Sequence, residues 1–150
     1  MNIQFDKVQP KTKEQLKQLI NYVFKHDIYD LNFIDTSKIT DMSNLFTNCE
    51  YNFDVSDWDV SNVTDMNNMF CDCEDFNCDL SNWDVSNVTN MSYMFYNCYK
   101  FTGKGLENWN VSNAIDMSYM FCDCEDFNCD LSKWNVSNVI DMSNLFIQIL

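Results

Sequence analysis

The residues with most chemical potential are thiols. The stretch "CDCEDFNCDLS" stands at positions 71–81 and again, letter for letter, at 122–132. Each copy carries three cysteines: Cys71, Cys73 and Cys78, then Cys122, Cys124 and Cys129. Thiolates at this density could hold a soft metal ion or close disulfides. A structural zinc site takes four ligands, drawn from cysteine and histidine. The spacing C-x-C-x4-C offers three, with no histidine nearby. A thiol-rich metal-binding protein is therefore an alternative reading and not the leading one, and no cofactor is assigned. A bridge between Cys71 and Cys78 is geometrically conceivable. One between Cys71 and Cys122 is not, because two stacked repeats would hold them about 10 Å apart. The single histidine, His26, is expected as a solvated residue near a helix C-terminus, where it suits the dipole.

Carboxylates raise the possibility of calcium. Asp54, Asp79 and Asp130 recur at one repeat position, and Asp65, Asp116 and Asp141 at another. No D-x-D-x-D-G loop and no glycine-rich nonapeptide accompanies them. Helix capping is the simpler expectation for the second set. The serines of "VSN" recur in every repeat, and one histidine cannot serve them all as a base. No G-x-S-x-G, phosphate loop or dinucleotide fingerprint occurs. A catalytic site breaks symmetry, and here the symmetry barely breaks. The expectation is a protein that is not an enzyme and has no catalytic residue.

The elements that position these residues follow from the repeat. The tryptophans Trp58, Trp83, Trp109 and Trp134 are spaced by 25, 26 and 25 residues. The text around them recurs as "WDVSNVTDMNNMFCDCEDFNCDLSN", "WDVSNVTNMSYMFYNCYKFTGKGLEN", "WNVSNAIDMSYMFCDCEDFNCDLSK" and a truncated "WNVSNVIDMSNLFIQIL". A worn first copy, "IDTSKITDMSNLFTNCEYNFDVSD", puts Ile34 in the tryptophan column. Such a period predicts a stack in which each turn buries its face only against its neighbours.

Each coil reads as strand, polar corner, short helix and return. Trp58, Val60 and Val63 alternate around Ser61-Asn62. Met66, Met69 and Phe70 then fall at i, i+3 and i+4, as one face of a brief helix or 3-10 turn capped by Asp65 or Thr64. Phe76 and Leu80 point inward on the return. The expected fold class is a repeat solenoid, leucine-rich-repeat-like, with short parallel β-strands plus short helices or 3-10 turns per coil. Asn62, Asn87, Asn113 and Asn138 form a column whose amides can satisfy backbone groups at the corner. Cys49, Cys73, Cys98 and Cys124 form another, read as a small apolar residue packed at a crowded corner. The extra residue in "FTGKGLEN", with Gly103 and Gly105, predicts a bulge or turn.

The ends differ. Residues 1–33 are expected as an N-terminal cap, and residues 34–150 as about five coils of 24–26 residues, the last truncated. Pro10, Thr12 and Gln15 give a helix start. Leu16, Leu19, Ile20, Val23 and Phe24 give an apolar face, so a capping α-helix is predicted over about 13–25. "NIQFD" before it reads as a short strand. At the other end "IQIL" either folds back as a plug or leaves a face for another chain, in which case a homodimer through the C-terminal end results.

Composition bounds the partners. The chain has 150 residues, 46% hydrophobic, and a formal net charge of -14, nearly all of it after residue 30. Such a surface repels phosphate backbones, which excludes nucleic acid, and favours a basic partner. No run of about 20 apolar residues exists, so no membrane span is predicted. The N-terminus lacks a basic region followed by an apolar core, which places the protein in the cytoplasm with reduced cysteines. A surface or extracellular location is the alternative.

The "WDVSNVTDMSNMF"-type text, followed by "NC" and "FN-DLSNW", resembles a known family. It is the 25–26-residue bacterial surface-protein repeat, a Mycoplasma-type domain of unknown function related to BspA-like leucine-rich repeats. The likeness covers residues 34–150. It differs in placing Cys78 and Cys129 where a polar glutamine is common, and in adding Cys71 and Cys122. The resemblance implies a leucine-rich-repeat-like solenoid with binding roles such as adhesion or protein contact, and no catalytic residues. The functional expectation is a non-enzymatic protein–protein interaction module, with a secreted or surface adhesin as the alternative. Tyr93, Tyr96, Tyr99 and Tyr119 vary between copies, and tyrosine is a favoured contact residue. Tyr96, Tyr99 and Lys100, beside the irregular coil, are the candidate binding residues.

Overall fold

The computed structural model describes residues 6–147. Its only α-helix among the described residues, α1, spans Lys13–Phe24. Thr12 starts it: the side-chain oxygen accepts from the Gln15 backbone N–H at 3.2 Å. The reciprocal half of the expected capping box is shifted by one residue, since the Gln15 side chain accepts from the Lys11 N–H at 2.8 Å. Leu16, Ile20 and Val23 are buried on one face, with Leu19 and Phe24 packed beside them. Lys13 anchors the helix start to the first repeat through Asp41 at 3.0 Å. Before α1, Val8 pairs in parallel with Ile34. The strand expected over "NIQFD" falls mostly outside the described residues.

The strand-bearing, leucine-rich-repeat-like solenoid expected from the sequence does not form. Among the described residues, parallel pairing reaches only isolated bridges, and no sheet results. The short helix expected in every coil is absent among the described residues too, where a single 3-10 turn, Leu106–Asn108, is the other helical element. The physical reason is that the chain bends through a succession of tight turns. In the second repeat the N–H of Trp58 bonds to the Val55 carbonyl, Val63 to Val60, Met69 to Met66, Cys73 to Phe70 and Phe76 to Cys73. Each is a turn closed over three residues, and the apolar residues at its two ends face inward.

Two further devices prevent a helix at M-x-x-M-F. The residue before the second apolar position is left-handed in every repeat: Asn44, Asn68, Tyr93, Tyr119 and Asn144 have φ between 53° and 57°. A single left-handed residue ends helical propagation. Asp65, expected as a helix cap, instead accepts from the Asn67 N–H two residues on. The same turn recurs at Asp41, Asn90, Asp116 and Asp141. Asp and Asn favour it because the side chain imitates a backbone carbonyl.

Successive sequence repeats nevertheless lie side by side in parallel register. Bridges link Asp41, Asp65, Asn90, Asp116 and Asp141 in order. Every second N–H of the M-x-x-M-F segment donates to the next repeat: Met66 to Asn90, Asn68 to Ser92, Phe70 to Met94 and Asp72 to Tyr96. Rings form ladders through the core. Phe46, Phe70, Phe95, Phe121 and Phe146 follow one another at 5.3–5.8 Å between centroids. Trp83, Trp109 and Trp134 stack at 6.3 and 6.5 Å. Each tryptophan donates its indole N–H to a carbonyl of the preceding repeat: Leu31, Val55, Leu80 and Leu106 in turn. Phe76 and Leu80 are fully buried, as expected. Gly103 and Gly105 adopt φ of 80° and 96° at the inserted turn.

Candidate functional site

The tyrosines come together on one side of the molecule. Tyr93 and Tyr119 occupy the left-handed position in adjacent repeats. Their rings stack at 4.6 Å and 7°. Tyr96 lies 5.5 Å from Tyr93. Tyr99 sits one short turn further on. All four are partly exposed. The stack was not part of the candidate site derived from the sequence. Its signal was there: Tyr93 and Tyr119 replace asparagine at the same repeat position in two consecutive copies.

Acid surrounds this face. Partial burial pushes the Tyr96 phenol above its usual range, and the carboxylates of Asp123 and Asp72 act in the same direction. Tyr99 behaves alike, with Glu74, Asp123 and Glu125 about it. Lys100, expected to contribute to binding, is exposed but engaged: its ammonium pairs with Asp75, and that contact raises its pKa. A groove of about 480 Å³ is lined by Asn48, Cys49, Glu50, Asp72, Glu74 and Asp75, and of these Asp72 and Glu74 also act on Tyr99. It carries four carboxylates.

The cysteines divide by column. Cys73, Cys98 and Cys124 are buried, and each thiol points at the aromatic residue's carbonyl one repeat earlier. The acceptors are Phe46 at 3.0 Å, Phe70 at 3.0 Å and Phe95 at 2.9 Å. Cys71 and Cys122 lie beside the carboxylates of Asp72 and Asp123. Cys78 lies 3.5 Å from Asp54, and Cys129 3.6 Å from Glu107. All eight thiols are free. Burial, reinforced by these acids, pushes Cys71 and Cys78 up to about 12 and Cys122 and Cys129 up to about 11. A thiol in such surroundings is a poor nucleophile. Among the described residues, no three of His, Cys, Asp and Glu are grouped so as to hold a metal ion. His26 is exposed, with Nδ1 2.8 Å from the Tyr22 carbonyl.

The acidic columns are occupied structurally. Asp54, Asp79 and Asp130 accept the N–H groups of Ser56, Ser81 and Ser132. Asp59 and Asp84 do the same for Ser61 and Ser86, and Asn110 and Asn135 take over that task in later repeats. Lys104 also reaches Asp79, at 2.9 Å.

The last described repeat leaves an apolar row in solvent. Ile140 is 86% exposed and Phe146 56%, with Val136, Met142 and Ile147 alongside. No helix among the described residues is long and apolar enough to cross a membrane.

The family described as "Mycoplasma protein of unknown function, DUF285" matches residues 14–105 and 103–149. No curated protein and no solved structure matches the chain.

Proposed function

The chain belongs to the DUF285 family of Mycoplasma proteins of unknown function, and from that premise we propose a non-enzymatic module that binds a basic protein segment. The observation that carries this reading is the Tyr93–Tyr119 stack, with Tyr96 beside it, together with the carboxylates of Asp72 and Glu74, which act on Tyr99 and line an acidic groove with Glu50 and Asp75. Aromatic faces next to carboxylates suit a guanidinium or ammonium group, which gains from both ring and charge. Tyrosine also gives a large contact area at low entropic cost. The raised thiols and the structurally employed aspartates support binding over chemistry.

The test is an immobilised array of basic, neutral and acidic peptides probed with the full chain at two salt concentrations. Basic peptides containing arginine next to an apolar residue should be retained, and retention should weaken with salt. The double variant Tyr96→Ala, Tyr99→Ala should lose them. Identical retention by variant and wild type, or preference for acidic peptides, would refute the assignment.

A further inference from the structure

The stack is regular until it meets α1. In each later repeat the two carbonyls flanking the ladder phenylalanine are taken by N–H groups of the repeat before. Met69 and Cys71 receive Phe46 and Asn48, and Met94 and Tyr96 receive Phe70 and Asp72. The same holds at Met120 and Cys122, and at Leu145 and Ile147. The counterparts in the first repeat are Leu45 and Thr47, on either side of Phe46. Neither carbonyl accepts a hydrogen bond among the described residues. Carbonyls at these places point back along the stack, so this pair points at α1.

A helix cannot serve them, because its interior N–H groups are bonded to its own carbonyls. The start of α1 compensates with a side chain: Lys13 reaches Asp41 at 3.0 Å and the Ser43 hydroxyl at 2.6 Å. No side chain does the same at its other end. There Ile20, Asn21 and Phe24 stand across a groove of about 270 Å³ from residues 45–51. Its walls are aromatic, with Phe24 6.3 Å from Phe46 and 5.4 Å from Tyr51, edge to face. Glu50, exposed at the rim, forms no ion pair among the described residues.

We infer that this groove binds a small primary aromatic amine, its ring against Phe24, Phe46 and Tyr51 and its ammonium at the Leu45 and Thr47 carbonyls beside Glu50. An uncharged apolar molecule would leave the two carbonyls unpaired. An anion would meet Glu50 and two carbonyl oxygens on a chain of net charge -14. An ammonium brings donors to all of these acceptors, and a ring can stack on the aromatic walls. The volume lies just below the range of drug-sized pockets, so it suits one ring or two fused rings with a short arm.

The groove shares Asn48, Cys49 and Glu50 with the acidic groove, but the inference does not rest on the tyrosine reading. Its test titrates the full chain, under reducing conditions, with tryptamine. Indole-3-acetate controls for the charge and hexylamine for the ring. Calorimetry should show one tryptamine per chain with Kd below about 1 mM, and either control should bind at least about tenfold more weakly. Tryptamine should shift NMR signals of Phe24 and of residues 45–51. Glu50→Gln and Asn21→Trp alter exposed side chains, so both chains should melt as wild type does. The first should bind tryptamine at least about fivefold more weakly, and the second should fill the groove and lose it. The Tyr96→Ala, Tyr99→Ala chain, which should lose basic peptides, should keep tryptamine. No saturation at about 1 mM, equal binding of indole-3-acetate, or wild-type affinity in either groove variant would overturn the inference. So would shifts at Tyr93, Tyr96 and Tyr99 in place of the groove.

Discussion

The Sγ of Cys98 lies 3.0 Å from the carbonyl oxygen of Phe70, one repeat earlier in the chain. The sulfur is fully buried, and its hydrogen meets a carbonyl that also takes the Cys73 N–H of its own repeat. Cys73 and Cys124 repeat the arrangement. Burial pushes the Cys98 thiol well above the ordinary 9.0 and Cys124 up to about 12. These groups are neutral in the folded state, so their contribution to stability is fully present below about pH 9. It is lost as pH rises from there towards about 12, because the unfolded chain gives up the protons first. A thiol reagent at pH 8 should label Cys73, Cys98 and Cys124 no faster than the protein unfolds. Rapid stoichiometric labelling of the native chain at these three positions would contradict the packing role.

The columns were legible because identical residues recur at one spacing. Ile34 takes the tryptophan place, since its N–H bonds to Leu31 as that of Trp58 bonds to Val55. The Asn62 column does what its side-chain type suggested, donating to the Ser37 carbonyl of the repeat before it. The local conformation was not legible in the same way. Apolar residues three apart, such as Met66 and Met69, suit a helix face and a series of turns equally well. What separates the two is the residue between them: Asn68 is left-handed, and asparagine tolerates that region. The "D-x-S" and "D-x-N" pairs carried the same information. The tyrosine pair eluded the pattern for the opposite reason. Tyr93 and Tyr119 hold positions where the backbone calls for asparagine, so their side chains are set by something other than local geometry.

Asp79 is held at about 2, first by the Ser81 hydroxyl and then by Lys104. Serine hydrogen bonds likewise lower Asp84 and Asp141. Depressed carboxylates stabilise the fold above their ordinary value of 3.8, and the contribution disappears as pH falls from there towards about 2. The melting temperature should therefore hold steady down to about pH 4 and then drop. Asp84→Asn keeps the acceptor for the Ser86 N–H, as Asn110 does for Ser112. It should melt only a little below wild type at pH 7, losing the charge-dependent part alone, whereas Asp84→Ala should melt lower still. Equal melting of the alanine variant would show that the side-chain acceptor does not shape the turn.

Asn87 donates from Nδ2 to the Ser61 carbonyl at 2.7 Å. Removing the amide in Asn87→Ala should cost about 1 kcal/mol in chemical denaturation. Asn87→Asp should cost more, because an oxygen then faces an oxygen and another charge joins an acidic surface. If the aspartate variant proved as stable as wild type, the column would not be tying repeats together.

Gly103 and Gly105 rank differently under the same substitution. A methyl at Gly105 would meet backbone: the Ser81 nitrogen at 2.2 Å and the Leu80 carbonyl carbon at 2.7 Å. That backbone cannot yield freely, since the Leu80 N–H bonds to the Lys104 carbonyl and Lys104 reaches Asp79. At φ of 96° an L side chain is strained in any case. At Gly103 the nearest atom is Cε2 of Phe127, at 2.4 Å, the far edge of a ring that is only partly buried. That ring can turn aside, although the Cys129 Cβ at 2.8 Å and a φ of 80° still oppose the methyl. Both variants should therefore lose stability, Gly105→Ala on the order of 3 kcal/mol or more and Gly103→Ala less, because only at Gly105 are all the nearest atoms backbone. Urea denaturation of the two variants decides the order. Equal losses would mean that the inserted turn shifts as a unit and that its clamp on the Asp79 repeat is loose.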